Sequence, residues 1–348
     1  MPSVRIKGAP FRFRGVANVE DCHTSEEVMA KAGLDWTVSK QEIYSKSPVE
    51  GDEINVVSDV DHRLIGSDLF MQVPNGYAIC RDDNKVPLGI VKARYTPVQN
   101  VEAFKFFDQA IGKNGALWQT AGAFGYGERI FVSAKLPNDI LVKGDPVDNY
   151  LVFTNSHDGS TGVKILFTPI RVICQNTLNA AIRNTTNYVS FKHTKSVHAN
   201  INTAQELLGI CKVISGDLQE SYNAMAKKKI SDVKFQTIIG DLVFTKAEKD
   251  LLNEGGYSYK HIFDRNWNAI EFANISTQKI KQIANIEWYY HNGPGQKEFE
   301  GTGWGVYNAV TGYYSNMENN EGLKRMDSLL YGDRANKIEL IGNLVLNS

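Results

Sequence analysis

The sequence predicts an α+β fold: an antiparallel β-meander packed on a helix, followed by a mostly helical C-terminal region. Three observations point there. Between residues 116 and 168, apolar residues alternate with period two in four short runs, separated by Gly, Pro, Asn and Asp. Such close spacing favours an antiparallel meander over the crossovers of a parallel sheet. From Asn202 onward the period lengthens to that of amphipathic helices, with Gly293-Pro294-Gly295 as a clear break. The chain divides accordingly into an N-terminal strand and helix region over 1–87, an α+β core over 88–200 and a helical region over 201–348.

The elements follow in order. Arg5, Lys7, Arg12 and Arg14 precede the first acid, Glu20, and Phe11 and Phe13 alternate with two of these cations. That spacing suits a strand with rings on one face and charge on the other. Thr24-Ser25-Glu26-Glu27 starts a helix, with a hydroxyl cap and acids in the first turn, and Gly33 closes it. Short strands are expected at 37–38, 42–44 and 88–91. Asn100 should cap a helix carrying the stripe Ala103, Phe104, Phe107, Ala110 and Ile111. The meander strands fall at 116–123, 128–136, 150–156 and 162–168. Pro169–Arg183 reads as the helix beneath them, with Thr168 as cap and Pro169 in the first turn. Leu207, Cys211, Ile214, Leu218, Tyr222 and Met225 mark a long helix ending in Lys227-Lys228-Lys229, where cations meet the negative end of the dipole. Further helices are expected at 277–291 and 303–314, and from about 322 onward.

Composition limits the function classes. Net charge is −1, so any polyanion site must be local. No apolar run reaches membrane-spanning length and the N-terminus has no apolar signal core, so a cytosolic compartment is expected. Cys22, Cys80, Cys174 and Cys211 are far apart and form no Cys-x-x-Cys pair, which argues against a zinc cage or a disulfide framework. Residues 50–83 are acidic, with eight carboxylates against Arg63 and Arg81. This is a solvated face or a surface for a basic patch on a neighbouring copy. Its spacing fits no calcium loop, and no metal is expected.

Charge is segregated elsewhere as well. Acids make up 39 of 348 residues, yet 159–205 holds none while carrying Lys164, Arg171, Arg183, Lys192 and Lys195. Lys and Arg neutralise phosphates, and the amides and hydroxyls of the same stretch can bond phosphate, sugar or base. These five cations are the first candidates for a nucleic-acid groove. Arg129, Lys135 and Lys143, on the preceding hairpins, are the second. Gln175 and Asn176 either position a nucleic-acid backbone or brace the junction of sheet and helix.

No catalytic signature is present. Asn155, His157, Asp158 and Gly159 belong to a hairpin turn; adjacent residues there do not face one another as a Ser/His/Asp triad must. His157 could still reach a phosphate or base at the tip. Gly122 to Gly127 lacks the Lys-Ser/Thr of a phosphate loop. His193 and His198 have no cysteine pair to complete a zinc site. An enzyme acting on nucleic acid would need Asp145, Asp148 and Asp158 gathered at the groove. No cofactor is expected.

Several motifs carry a family resemblance. They are Ala32-Gly33-Leu34-Asp35-Trp36, Leu88-Gly89 with Arg94-Tyr95-Thr96-Pro97-Val98-Gln99-Asn100, Asn155-Ser156-His157-Asp158-Gly159-Ser160, Cys174-Gln175-Asn176-Thr177-Leu178-Asn179, and Gly301-Thr302-Gly303-Trp304 with Asn308. Together the chain resembles the phage/plasmid-like protein family, a domain of unknown function carried by phages and mobile elements. Phe13-Arg14-Gly15 departs from that family's usual N-terminal segment. The strand-and-helix core is also similar to that of phage single-strand annealing proteins of the lambda Red beta and Erf type. That analogy implies a non-enzymatic oligomer, a ring or filament, that holds single-stranded DNA for annealing in recombination. The alternative is a phage structural or host-interaction protein without nucleic-acid affinity.

Overall fold

Two antiparallel sheets and a C-terminal set of helices share one core in the computed structural model. It describes residues 16–47, 62–65, 68–105, 108, 115–137, 139–171, 176–177, 188–195, 206–317, 328–330 and 332–348. The large sheet holds β1 (Val16–Asn18), β6 (Leu117–Phe124), β7 (Arg129–Lys135), β8 (Ile140–Val142), β9 (Asp145–Ser156), β10 (Val163–Arg171), β11 (Asn176–Thr177) and β12 (Tyr188–Phe191). Its order is β1-β6-β7-β9-β10-β11, with β12 also on β10 and β8 on β9. The small sheet runs β2 (Val38–Ser47), β4 (Asp68–Arg81), β3 (His62–Ile65), and β5 (Pro87–Lys92) pairs with β4. The class is α+β, and the four meander strands stand where period two put them.

Alternation along the large sheet fills both of its faces. Ile130, Val132, Leu151, Phe153, Ile165 and Phe167 turn to the main core. Phe124, Phe131, Tyr150, Val152, Leu166 and Ile170 turn the other way, where Leu330 packs on them. Each such side chain contributes roughly 1.5–3 kcal/mol on burial.

Helix α1 (Ser25–Ala32) begins at Thr24 with a capping box to Glu27 and ends at Gly33 in the left-handed region, φ 65°. The helical region comprises α2 (Glu206–Lys227), α3 (Asp232–Val243), α4 (Lys246–Glu254), α5 (Tyr259–Phe263), α6 (Trp267–Phe272), α7 (Thr277–Asn292), α8 (Gly303–Gly312) and α9 (Asp333–Asn347). Helix α2 is tied to the meander. The Lys143 N–H donates to Asn223 Oδ1 at 3.2 Å, and Asn223 Nδ2 donates to the Leu141 carbonyl at 2.9 Å. Lys143 Nζ donates to the Ala226 carbonyl at 2.9 Å, near the C-terminal end of α2. The dense aromatics of the C-terminal half are packing residues: Tyr289, Tyr290, Trp304, Tyr307, Tyr313 and Tyr314 are all buried.

Two local expectations are corrected. The helix expected over Pro169–Arg183 is strand wherever it is described. β10 continues to Arg171, and β11 returns with Ile170 opposite Thr177 and Arg171 opposite Asn176. Lys164 to Arg171 form unbroken registered pairs with β9, and the β-branched Thr168 and Ile170 keep the alternation begun at Val163. That ladder outweighs the helix signal of a Thr-Pro start. Gln175 and Arg183 lie outside the described residues, as do the acidic stretch 48–61 and the basic N-terminal arm. Asn100 opens a helical stretch over 100–105, but its side chain does not cap it. It bonds the carbonyls of Leu34 (3.0 Å) and Trp36 (3.3 Å) instead.

Candidate functional site

The site grows from one backbone-on-backbone contact. Gly89 of β5 lies against the turn joining β9 to β10; a Cβ at Gly89 would stand 2.5 Å from the Asp158 Cα. Only glycine allows the two chains to approach this closely. The turn holds itself together. Asp158 Oδ1 accepts from Ser156 Oγ and from the Ser160 N–H, each at 2.8 Å, and Ser156 Oγ accepts from the Thr161 N–H at 3.2 Å. Burial pushes the Asp158 carboxyl upward in pKa, but the bonds from Ser160 and Ser156 and the nearby Arg129 outweigh it and hold the group below its ordinary value.

The family-like motifs converge here. Tyr95 donates its hydroxyl to the Ser156 carbonyl at 2.8 Å and stacks on His193, ring centroids 4.6 Å apart. The Thr96 N–H donates to the His193 carbonyl at 3.0 Å. Asn155 Nδ2 donates to the Val98 carbonyl at 3.0 Å. His157 shares a 2.9 Å hydrogen bond with Asn100 Oδ1 and its ring lies 5.2 Å from that of Trp36. His157 is therefore a fully buried brace, not a contact at a turn tip. Burial, then the neighbouring His193, lowers its pKa to about 3, so the ring is neutral at physiological pH. Residues 32–36, 88–100 and 155–160 form a single junction.

Beside this junction opens a cleft of about 1110 Å³. One wall is Pro74 to Gly76 and Ile90 to Tyr95 from the small sheet; the other is Gly159 to Gly162 with Lys192 to Thr194. Lys92, Arg94 and Lys192 are exposed along it, and no Asp or Glu is among its described lining residues. Ile90 is 74% exposed on the same wall. The adjoining histidine adds no charge, since burial lowers the pKa of His193. Cations, hydroxyls, turn N–H groups and an apolar wall suit a ligand with anionic and flat apolar parts.

The candidates from sequence meet different fates. Lys192 lines the cleft, and Lys195 is exposed three residues beyond it. Arg129 donates through Nε and Nη2 to Ser160 Oγ, at 3.2 and 2.9 Å, and so braces the cleft wall. Lys164 is half-buried opposite Thr154 and Ser190, on the sheet face that carries Phe131 and Leu166. Lys135 is paired with Asp148 at 2.8 Å, and Asp139 lies 3.8 Å away. Lys143 serves α2. For Arg171 and Asn176 only the backbone is described, in the β10–β11 pair. Of the five expected cations, Lys192 is among the described lining residues, and it stands there beside Lys92 and Arg94, which the sequence reading did not single out. A signal for Lys92 and Arg94 was present: residues 84–101 also hold no acid.

The carboxylates an enzyme would need do not gather. Asp145 accepts from Trp304 Nε1 at 2.8 Å, Asp148 holds Lys135, and Asp158 is bound within its turn. Among the described residues no group of three or more His, Cys, Asp or Glu is placed to hold a metal, and no helix is long and apolar enough to cross a membrane.

No curated protein matches this chain, and no solved structure matches it. A family model does, and it covers every motif of the junction but the N-terminal one. The β5 strand, the meander, the turn that Gly89 contacts and the helices up to the first turn of α9 all lie within residues 87–337, over which the chain belongs to the family described as Domain of unknown function (DUF932).

Proposed function

We propose that this chain binds single-stranded DNA in the cleft between the small sheet and the β9–β10 turn. The observation that carries this is the company of Lys92, Arg94 and Lys192: three exposed cations on one open cleft with no carboxylate among its described lining residues. Phosphates gain from such a wall by releasing condensed counterions. A cleft of about 1110 Å³ has room for a few nucleotides of a single strand. On this reading the protein is a non-enzymatic annealing protein of a phage or mobile element. It acts as an oligomer whose clefts hold one strand with its bases open to pairing.

Fluorescence anisotropy with labelled single- and double-stranded oligonucleotides tests the proposal. Single strands should bind more tightly, with log K falling against log salt at a slope of about −2 for three phosphates neutralised. The combined variant Lys92→Glu, Arg94→Glu, Lys192→Glu should lose binding while keeping its melting temperature. Binding untouched by the triple variant would remove the cleft from the function. No affinity for any oligonucleotide, with salt-sensitive self-association, would favour a structural or host-interaction protein instead.

A further inference from the structure

We propose that Tyr126 is a base-stacking platform for the strand held in the cleft; this rests on the single-strand reading above. Tyr126 lies in the turn between β6 and β7, and it is 69% exposed. Its backbone is fixed on both sides. The Tyr126 N–H donates to Glu128 Oε2 at 2.6 Å, and its carbonyl accepts from Arg81 Nη1 at 2.7 Å. Arg81 is itself held, by Asp83 through Nε at 3.0 Å and Nη2 at 2.6 Å, and it lies 4.3 Å over the Trp36 ring. Gly127, at φ 119°, presses the turn on the same indole; a Cβ there would come within 2.8 Å of it. The molecule thus anchors a turn rigidly and leaves its one large ring in solvent. An aromatic presented this way loses little freedom when a flat ligand stacks on it.

The location supplies the ligand. Arg129 opposes Ser156 in the β7–β9 ladder, so the β6–β7 and β9–β10 turns share one end of the large sheet. Arg129 follows the Tyr126 turn directly and bonds Ser160, which lines the cleft. A strand leaving the Lys92, Arg94 and Lys192 wall past Ser160 meets cationic Arg129 and then an exposed ring. Single-strand recognition combines such phosphate contacts with exposed rings, and stacking is indifferent to base identity.

The test compares wild type with Tyr126→Ala, Tyr126→Phe and Tyr126→Trp, using oligothymidylate for affinity and an oligonucleotide carrying 2-aminopurine as a stacking reporter. Tyr126→Ala should weaken binding about tenfold. Its salt slope should equal that of wild type, because no phosphate contact is lost. The Phe and Trp variants should retain affinity, and 2-aminopurine quenching should disappear only in the Ala variant. If wild type binds and Tyr126→Ala binds equally well with quenching intact, the platform is overturned and the cleft stands. If wild type binds no oligonucleotide, both fall.

Discussion

His157 shows how a polar residue at a turn can be committed to the interior. Its ring is enclosed by Trp36 and Asn100, and burial keeps it neutral with a pKa of about 3. In the unfolded chain the same imidazole titrates near its ordinary value of about 6.5. Between those values the unfolded chain holds the extra proton, so the contribution to stability is complete above about pH 6.5 and is lost as pH falls toward about 3. One proton sets a limiting slope of about 1.4 kcal/mol per pH unit. His157→Gln should therefore flatten the decline in urea midpoint between about pH 7 and about pH 5 relative to wild type. Equal decline in both proteins would mean that this ring is already solvated in the folded state. Asp158, one residue on, works in the same direction: its carboxyl is held below its ordinary value, so it too favours the unfolded chain at low pH. The comparison of the two proteins separates the imidazole from that background.

At the scale of elements, Lys143 separates a brace from a ligand contact. It sits at the β8–β9 turn with φ 49°, bonding Asn223 through its backbone and the Ala226 carbonyl through its ammonium. A cation on the last carbonyls of a helix also interacts favourably with the dipole. Lys143→Met should cost about 1 kcal/mol in denaturant unfolding and leave oligonucleotide affinity unchanged; a loss of affinity at full stability would return Lys143 to the binding surface. The sequence carried the elements unevenly for physical reasons. The meander was legible because each strand has a buried face on a period of two. Of the pair β2–β4 only pieces of β2, at 37–38 and 42–44, were legible, since Ser39, Lys40 and Gln41 show no apolar face and Pro74-Asn75-Gly76 interrupts β4. Pro169 looks like a helix start because a proline suits that position locally; only the ladder with β9, which places Pro169 opposite Asn149, settles the strand. The site was half legible for a related reason. Lack of acids marked Lys192, but grouping it with Lys92 and Arg94 needs the fold of β5 onto the β9–β10 turn, a contact between segments about seventy residues apart.

Across the whole molecule one buried cluster runs from Val19 to Val345, through both sheets and the helical region. The N-terminal, central and C-terminal thirds therefore share a core. Trp304 on α8 is a joint in that sharing. Its indole Nε1 donates to Asp145 at the start of β9, 2.8 Å away and buried, while its ring packs on Tyr222 of α2 (4.9 Å) and on Tyr307 (5.8 Å). Helix α2 in turn bonds the β8–β9 turn through Asn223. Strand, helix and helix thus meet in a closed loop of contacts in which no member can leave alone without exposing the other two. The expected consequence is cooperative unfolding: on heating, the strand and helix signals of circular dichroism should vanish at one midpoint. Trp304→Phe keeps most of the ring and removes the donor, leaving a buried carboxylate one partner short at a cost of about 1–3 kcal/mol. That variant should lower both midpoints together. Two separated midpoints in wild type, or a shift confined to the helix signal in the variant, would show that the sheets and helices hold their cores independently and that the Asp145–Trp304 contact joins them without coupling them.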